Sequence, residues 1–196
     1  MKTGIIILAA GNSSRLGKPK QLLNYQGKTL LEIVSRAAIE SSCKPIIVVL
    51  GAYATEISAK HHFPELKYVI NDQWERGISS SIAVGMSAVL AINHDIQQVI
   101  LAVSDQPFIS AEIFENLIKT QQLSDKGIIA SSYAETLGTP VLFSKKYFPQ
   151  LLSLQGNQGA KQLLNEYPED SSSLVFTLGD IDIDTTSDYN NLNLQR

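Results

Sequence analysis

A single cysteine, Cys43, among 196 residues excludes an intrachain disulfide and any thiolate metal cluster built from this chain alone. No activating base lies near it in sequence, so Cys43 reads as a small core residue rather than a nucleophile. Histidine is scarce too, and His61, His62 and His94 show no metal-ligand spacing; adjacent His61 and His62 would point apart on a helix and read as surface residues. Charge of neither sign dominates. The formal net charge is −3, and no stretch clusters Lys and Arg with aromatics, which argues against nucleic acid as a partner. Long hydrophobic runs are missing: the apolar stretch after Lys2 meets Gly11 before a signal peptide or membrane span would be complete. No membrane partner and a cytoplasmic location are therefore expected. Gly and Pro are too few for a disordered or fibrous chain, and 44% hydrophobic with 18% charged residues suits a packed core. The length predicts a single domain over 1–196.

Hydrophobic patterning alternates strand and helix. Gly4–Ala9 is a continuous apolar run ending in a Gly and Ser segment, as in a strand buried on both faces. Thr29–Ser42 carries apolar residues at helical spacing, opened by a capping pair, Thr29 with Glu32. Strands are then expected at Pro45–Leu50, Leu66–Ile70 and Gln97–Val103, and helices at Tyr53–His61, Ser79–Ile92 and Ser110–Leu123. Beyond Gly127–Ser131 the order is less regular, with a strand at Pro140–Phe143, a helix at Ala160–Asn165, a strand at Leu174–Leu178 and a helix start at Thr185 with Asp188. Tyr147, Phe148 and Tyr167 read as packing residues, and Trp74 as a partly buried anchor. The alternation predicts an α/β, three-layer, Rossmann-like sandwich with a mostly parallel sheet, whose ligand sits beyond the carboxyl ends of the strands.

That rule directs attention to the loop Leu8-Ala9-Ala10-Gly11-Asn12-Ser13-Ser14-Arg15-Leu16-Gly17-Lys18-Pro19-Lys20. Small side chains let backbone N–H groups approach phosphate oxygens, and Arg15 and Lys20 can neutralise charge spread over a triphosphate. Neither G-x-x-x-x-G-K-[ST] nor G-x-G-x-x-G is present. Asp105 follows a strand end directly, with Pro107 fixing the turn, and reads as a ligand for Mg2+, which prefers hard oxygen donors. Alternation in Asp180-Ile181-Asp182-Ile183-Asp184 points three carboxylates one way if the segment is extended; such crowding attracts a cation, or the acids are merely solvated. Gly77 to Ser81 combines a glycine with three serines at a helix start, suited to hydrogen-bonding a nucleobase or phosphate, or to simple capping.

Leu8 to Lys20 fits, without a gap, the signature L-A-A-G-x-S-x-R-x-G-x-x-K, and the chain resembles the MobA-like NTP transferases. It is most similar to the molybdenum cofactor cytidylyltransferases within them, with further agreement at Asn71 to Met86, Ser104-Asp105-Gln106-Pro107, Gly138 to Phe143, Gly156 to Leu164 and Asp182 to Tyr189. The resemblance implies a fold of the nucleotide-diphospho-sugar transferase type, with nucleotide bound by Leu8, Ala9, Ala10, Gly11, Ser13, Arg15, Lys20, Gly77, Ser81 and Asp105. Arg15, Lys20 and Asp105 would be catalytic, with Asp105 and either Asp182 or, by preference, Asp184 holding Mg2+. The implied reaction transfers CMP from CTP to molybdopterin and releases pyrophosphate, and a molybdoenzyme or its chaperone would receive the product. Guanylyltransferases of this kind tend to read L-A-G-G, so Ala10 leans toward cytidine. Guanylyl transfer, a sugar or polyol phosphate acceptor, and nucleotide binding without catalysis are the alternatives. Three positions depart from the family pattern: Thr139 stands for a histidine, Asn157 for an acid and Thr186 for a proline.

Overall fold

A computed structural model describes residues 1–194. Strand β1 (Thr3–Ala9) is buried throughout, as its unbroken apolar sequence requires. A short 3-10 turn at Lys20–Leu22 leads into a hairpin, β2 (Asn24–Tyr25) and β3 (Lys28–Thr29), and then helix α1 (Leu30–Glu40). There the Thr29 hydroxyl accepts the Glu32 N–H at 3.1 Å, as the capping pattern predicts. Strand β4 (Ile46–Leu50), helix α2 (Ala54–Lys60), strand β5 (Leu66–Ile70), helix α3 (Ile78–Ile92), strand β6 (Gln98–Val103) and helix α4 (Ala111–Ser124) continue the alternation. Strands β7 (Ile128–Tyr133) and β8 (Thr136–Ser144), helices α5 (Phe148–Ser153) and α6 (Ala160–Glu166), strand β9 (Ser171–Val175) and helix α7 (Thr186–Leu194) follow.

Seven strands form one sheet in the order β5-β4-β1-β6-β8-β7-β9. Strands β5, β4, β1 and β6 are mutually parallel, whereas β8 runs antiparallel to both neighbours and β9 is parallel to β7. Alternation along β1 sends Ile5, Ile7 and Ala9 to a face covered by α1, α2 and α4, and Ile6 and Leu8 to a face covered by α3, α5 and α6. This is the three-layer sandwich the sequence predicts.

A third cluster positions the site. Leu23, Tyr25 and Leu30 from the hairpin region enclose Ile183 and Leu192, so the chain end is folded back onto the loop that follows β1. The hairpin and α5 carry no periodic signal long enough to be read from the sequence. Strand β9 starts three residues before the expected Leu174 and ends at Val175, because Ser171, Ser172 and Ser173 pair with β7 ahead of Leu174 and Val175. His61 is a correction. Helix α2 stops at Lys60, and the His61 ring turns inward against Phe63 and Tyr68, its Nδ1 2.9 Å from the Tyr68 hydroxyl. Burial pushes its pKa down to about 4. Neighbouring His62 is exposed, as expected.

Candidate active site

The loop leaving β1 is held in shape by one side chain that sequence reasoning passes over. Gln21, 1% exposed, donates from Nε2 to the carbonyls of both Ala9 (3.0 Å) and Gly11 (3.2 Å), clamping the two ends of the first turn. Ser13 sits at φ 48°, its carbonyl accepting from Leu16 and Gly17 and its hydroxyl accepting the Lys20 N–H at 3.1 Å. At Gly51, a Cβ would lie 2.6 Å from the Ala10 carbonyl oxygen and 2.8 Å from Trp74 Cβ. Only glycine lets the β4 end approach the loop so closely, and Ala52 N–H then donates to that carbonyl.

The cationic and acidic residues meet at one point beyond the strand ends. Lys20 Nζ donates to Asp105 Oδ2, in a short contact, and to Asp184 Oδ1 at 2.8 Å. Arg15 takes the other Asp184 oxygen at 2.7 Å. Burial would lower the Lys20 pKa, but the charge of Asp105 and the hydrogen bonds to both carboxylates outweigh it, and the ammonium titrates above its ordinary value. Asp184 is held below the usual carboxylate range, chiefly by the Lys20 hydrogen bond. Asp182 goes the other way: desolvation and the negative charge of Asp105 and Asp184 raise it. Segment 180–184 is not a strand, so the three acids do not form a single row: Asp180 lies in a turn, and the buried Ile183 anchors the segment so that Asp184 reaches Lys20. The Asp184 and Thr185 N–H groups both donate to Asp188, whose own N–H donates to the Thr185 hydroxyl, a reciprocal cap that opens α7.

Around this cluster lie three hollows. A cleft of about 360 Å³ is lined by Leu8, Ala10, Gly11, Lys20, Gly77, Ser81 and Asp105, with Gln21, Trp74, Ser104 and Asn157 completing its wall. A smaller one of about 210 Å³ is lined by Gly11, Ser13, Arg15, Lys20 and Asp184. A third, about 180 Å³, lies along Asp105, Gln106, Tyr133, Thr139, Asp180 and Asp182. Of the expected site residues only Ala9 lines none of them: its side chain packs in the α1 and α4 core, and its carbonyl serves Gln21. Gly77 sits at φ 96°, where an added Cβ would be 2.3 Å from the Gly156 carbonyl oxygen. The Ser79 N–H and hydroxyl both bond that carbonyl, tying the start of α3 to the loop bearing Asn157. Gln106, also missed from the sequence, donates to the carbonyls of Thr139 (3.0 Å) and Gly179 (2.8 Å), fixing β8 and the acid-bearing tail to the turn of Asp105.

Whether the site suits a divalent cation is tested by its unspent acceptors. Asp105 Oδ1 is buried without a hydrogen-bond partner, and Asp182, whose pKa is raised first by burial and then by the charge of Asp105 and Asp184, lies close by. Among the described residues no three His, Cys, Asp or Glu side chains are grouped to hold a metal unaided. Two carboxylates with phosphate and water are what magnesium commonly takes, so the donor set fits an ion that arrives with a nucleotide.

Residues 5–171 match the model of the MobA-like NTP transferase domain. The chain is 30% identical over 173 residues to a Paenarthrobacter nicotinovorans protein named nicotine blue oxidoreductase, covering 83% of this chain and 81% of that one. The crystal structure of Rv0371c from Mycobacterium tuberculosis superposes with a TM-score of 0.87 at 28% identity, over 97% of this chain and 96% of that one. The same protein in complex with manganese gives a TM-score of 0.79 at 26% identity, over 98% of each chain. No helix among the described residues is long and apolar enough to cross a membrane. With its signature loop, strand-end acid and sheet order all in place, the chain belongs to the MobA-like NTP transferase family and is a nucleotidyltransferase.

Proposed function

We propose that the chain acts as one nucleotidyltransferase domain, transferring CMP from CTP to a phosphorylated small acceptor, molybdopterin by family likeness, with release of pyrophosphate. The observation that carries this reading is the convergence of Lys20, Arg15, Asp105 and Asp184 at the mouth of a cleft floored by Leu8 and Ala10. The nucleoside occupies the larger cleft and the triphosphate the hollow along Gly11, Ser13 and Arg15. On binding, Lys20 and Arg15 exchange carboxylates for phosphate oxygens, which frees Asp105 and Asp184 to hold Mg2+. The manganese complex of the Rv0371c protein supports a divalent ion in this fold. The bound ion supplies charge neutralisation across the phosphates. A phosphate monoester, with a second pKa of about 6, is already ionised near neutral pH, so no general base is required. Catalysis then rests on alignment of the acceptor with the α-phosphorus and on Lys20 and Arg15 stabilising charge on the departing pyrophosphate.

Ala10 supports cytidine. Its side chain, 6% exposed, lines the cleft beside Gly51, and a methyl in place of hydrogen narrows the approach for a purine by about 1 to 3 kcal/mol of discrimination. The test is pyrophosphate release with each of the four NTPs and molybdopterin, in wild type and in Lys20→Ala and Asp105→Ala. CTP should be preferred, and both variants should lose about two to three orders of magnitude of activity or more while still folded. Release with GTP alone would move the base assignment, turnover only with a sugar or polyol phosphate would move the acceptor, and no release from any NTP would refute the reading.

A further inference from the structure

At the start of α3 a buried amide dictates which way a cleft hydroxyl faces. Asn71 is 2% exposed, and its Oδ1 accepts the Gln73 N–H at 3.0 Å. A backbone N–H can only donate, so the amide has one possible orientation, with Nδ2 toward the helix. Its two hydrogens go to Ser80 Oγ at 2.8 Å and Ser81 Oγ at 2.9 Å. The Ser80 proton is spent on the protein, since Ser80 Oγ lies 2.8 Å from the Gly77 carbonyl and 3.1 Å from that of Gln73. Ser81 differs. Its oxygen accepts from Asn71, its hydroxyl donates to no protein acceptor among the described residues, and it lines the nucleotide cleft.

We infer that Asn71 is a specificity-determining positioning residue, which presets the Ser81 hydroxyl as a hydrogen-bond donor that reads a carbonyl on the bound base. The inference rests on the reading of the cleft as a nucleotide site. For cytosine the only carbonyl is O2, so that oxygen is the group read. A donor fixed before binding costs no reorientation when the ligand arrives, and it leaves a base without an acceptor facing an unpaired buried hydroxyl.

Asn71→Asp reverses the device at almost constant shape. A carboxylate still accepts the Gln73 N–H, but its second oxygen can only accept, so Ser81 donates inward and offers the cleft a lone pair. Binding of CTP with Mg2+ is measured by calorimetry alongside 2-thio-CTP, whose sulfur is a poor acceptor. Wild type should favour CTP over the thio analogue by about tenfold, the worth of one neutral hydrogen bond. Asn71→Asp and Ser81→Ala should each lose that ratio and weaken CTP by about tenfold or more. The double variant should be no worse than Asn71→Asp alone, because both act through one hydroxyl. A retained CTP preference in Asn71→Asp, or additive losses, would overturn the inference. If Asn71→Asp does not fold, Ser81→Ala with the two nucleotides decides: a ratio unchanged from wild type overturns it, and a lost ratio upholds it. Failure of wild type to bind CTP while another NTP binds would instead strike the cytidine assignment, and the ratio is then read with the thio analogue of the preferred base.

Discussion

Replacing Lys20 by methionine keeps the packed stem and removes the one cation that, among the described residues, bonds both Asp105 and Asp184. In the wild-type chain the lysine side chain is 17% exposed and its partners are 13% and 30% exposed, so the cluster is shielded but not dry. Deleting one partner of a fully buried pair costs about 3 to 5 kcal/mol. Here Arg15 still neutralises Asp184 and water reaches it, which brings the expected loss to about 2 to 3 kcal/mol. For a chain of this length that lowers Tm by roughly 5 to 10 °C. The loss should be reversible by an ion of the same sign. Millimolar Mg2+ or Mn2+ should raise the Tm of Lys20→Met by several degrees against an EDTA control, because Asp105 and Asp184 now lack a competing ammonium, and should raise wild type much less. Thermal melts followed by circular dichroism provide the measurement. A metal-free Tm within a degree of wild type, or equal metal responses in both proteins, would refute the argument that these acids form a cation site occupied by Lys20. In the same variant pyrophosphate release should fall by about two to three orders of magnitude, the loss of one preorganised charge at the leaving group.

His61, neutral when buried with a pKa of about 4 against 6.5 unfolded, binds its proton more weakly in the native chain, so stability is lost as pH falls from 6.5 toward 4. The loss reaches about 3 kcal/mol in urea titrations and should be much smaller in His61→Leu; a pH dependence identical in both would disprove the assignment. Gln21→Glu sets a carboxylate against the Ala9 and Gly11 carbonyls in place of a double donor, and should cost about 2 to 3 kcal/mol of stability and raise KM for the nucleotide. Unchanged KM in steady-state assays would show that the clamp does not shape the loop. Gly51→Ala should push the loop off β4 and weaken nucleotide binding about tenfold or more by calorimetry, with a stability loss of about 1 to 3 kcal/mol; wild-type affinity would count against the close approach.

The parts of the fold that rest on repeated local signals were legible in the sequence. Strands β1 and β4 are apolar almost throughout, β5 and β6 are short strands with one long polar residue each, Lys67 and Gln98, and α1 has both the apolar spacing and the Thr29 side-chain cap that define it. Asp105 was findable because a strand end at a parallel sheet's carboxyl edge is a place, not a guess about partners. What was not legible depends on contacts between distant segments. Nothing near Gln21 says that its amide will serve two carbonyls ten and twelve residues back, and Gln106 and Asn71 are polar residues whose burial appears only when the helices are packed. His61 was misplaced because it stands one helical turn after the buried Ile57, on the face that turns inward, and nothing in the local spacing marks that face as covered. The alternation in segment 180–184 would have aligned its three acids only in an extended chain, and that condition is not met, because Ile183 enters a cluster made by the β2 and β3 hairpin, which has no periodicity to announce it.

The three departures from the family pattern separate once they are located. Thr186 opens α7 where proline would preset the first helical residue. The reciprocal bonds between Thr185 and Asp188 do that work instead, and because Asp188 also takes the Asp184 N–H, the same cap fixes the carboxylate that faces Lys20 and Arg15. This departure therefore leaves the placement of Asp184 intact. Asn157 lies in the wall of the larger of the clefts beside Lys20, next to Gly77, where its amide adds a donor and an acceptor without the charge an acid would bring. Thr139 borders the small hollow next to Asp105 and Asp182, and its carbonyl is engaged by Gln106. A histidine at that position would place a titratable cation against a crowd of carboxylates, whereas threonine adds no charge, and among the described residues Lys20 and Arg15 are the cations bonded to Asp105 and Asp184. Under the proposed reaction, an anionic acceptor in this hollow would meet no histidine at position 139, and its charge would have to be offset by Lys20, Arg15 or the ion that arrives with the nucleotide.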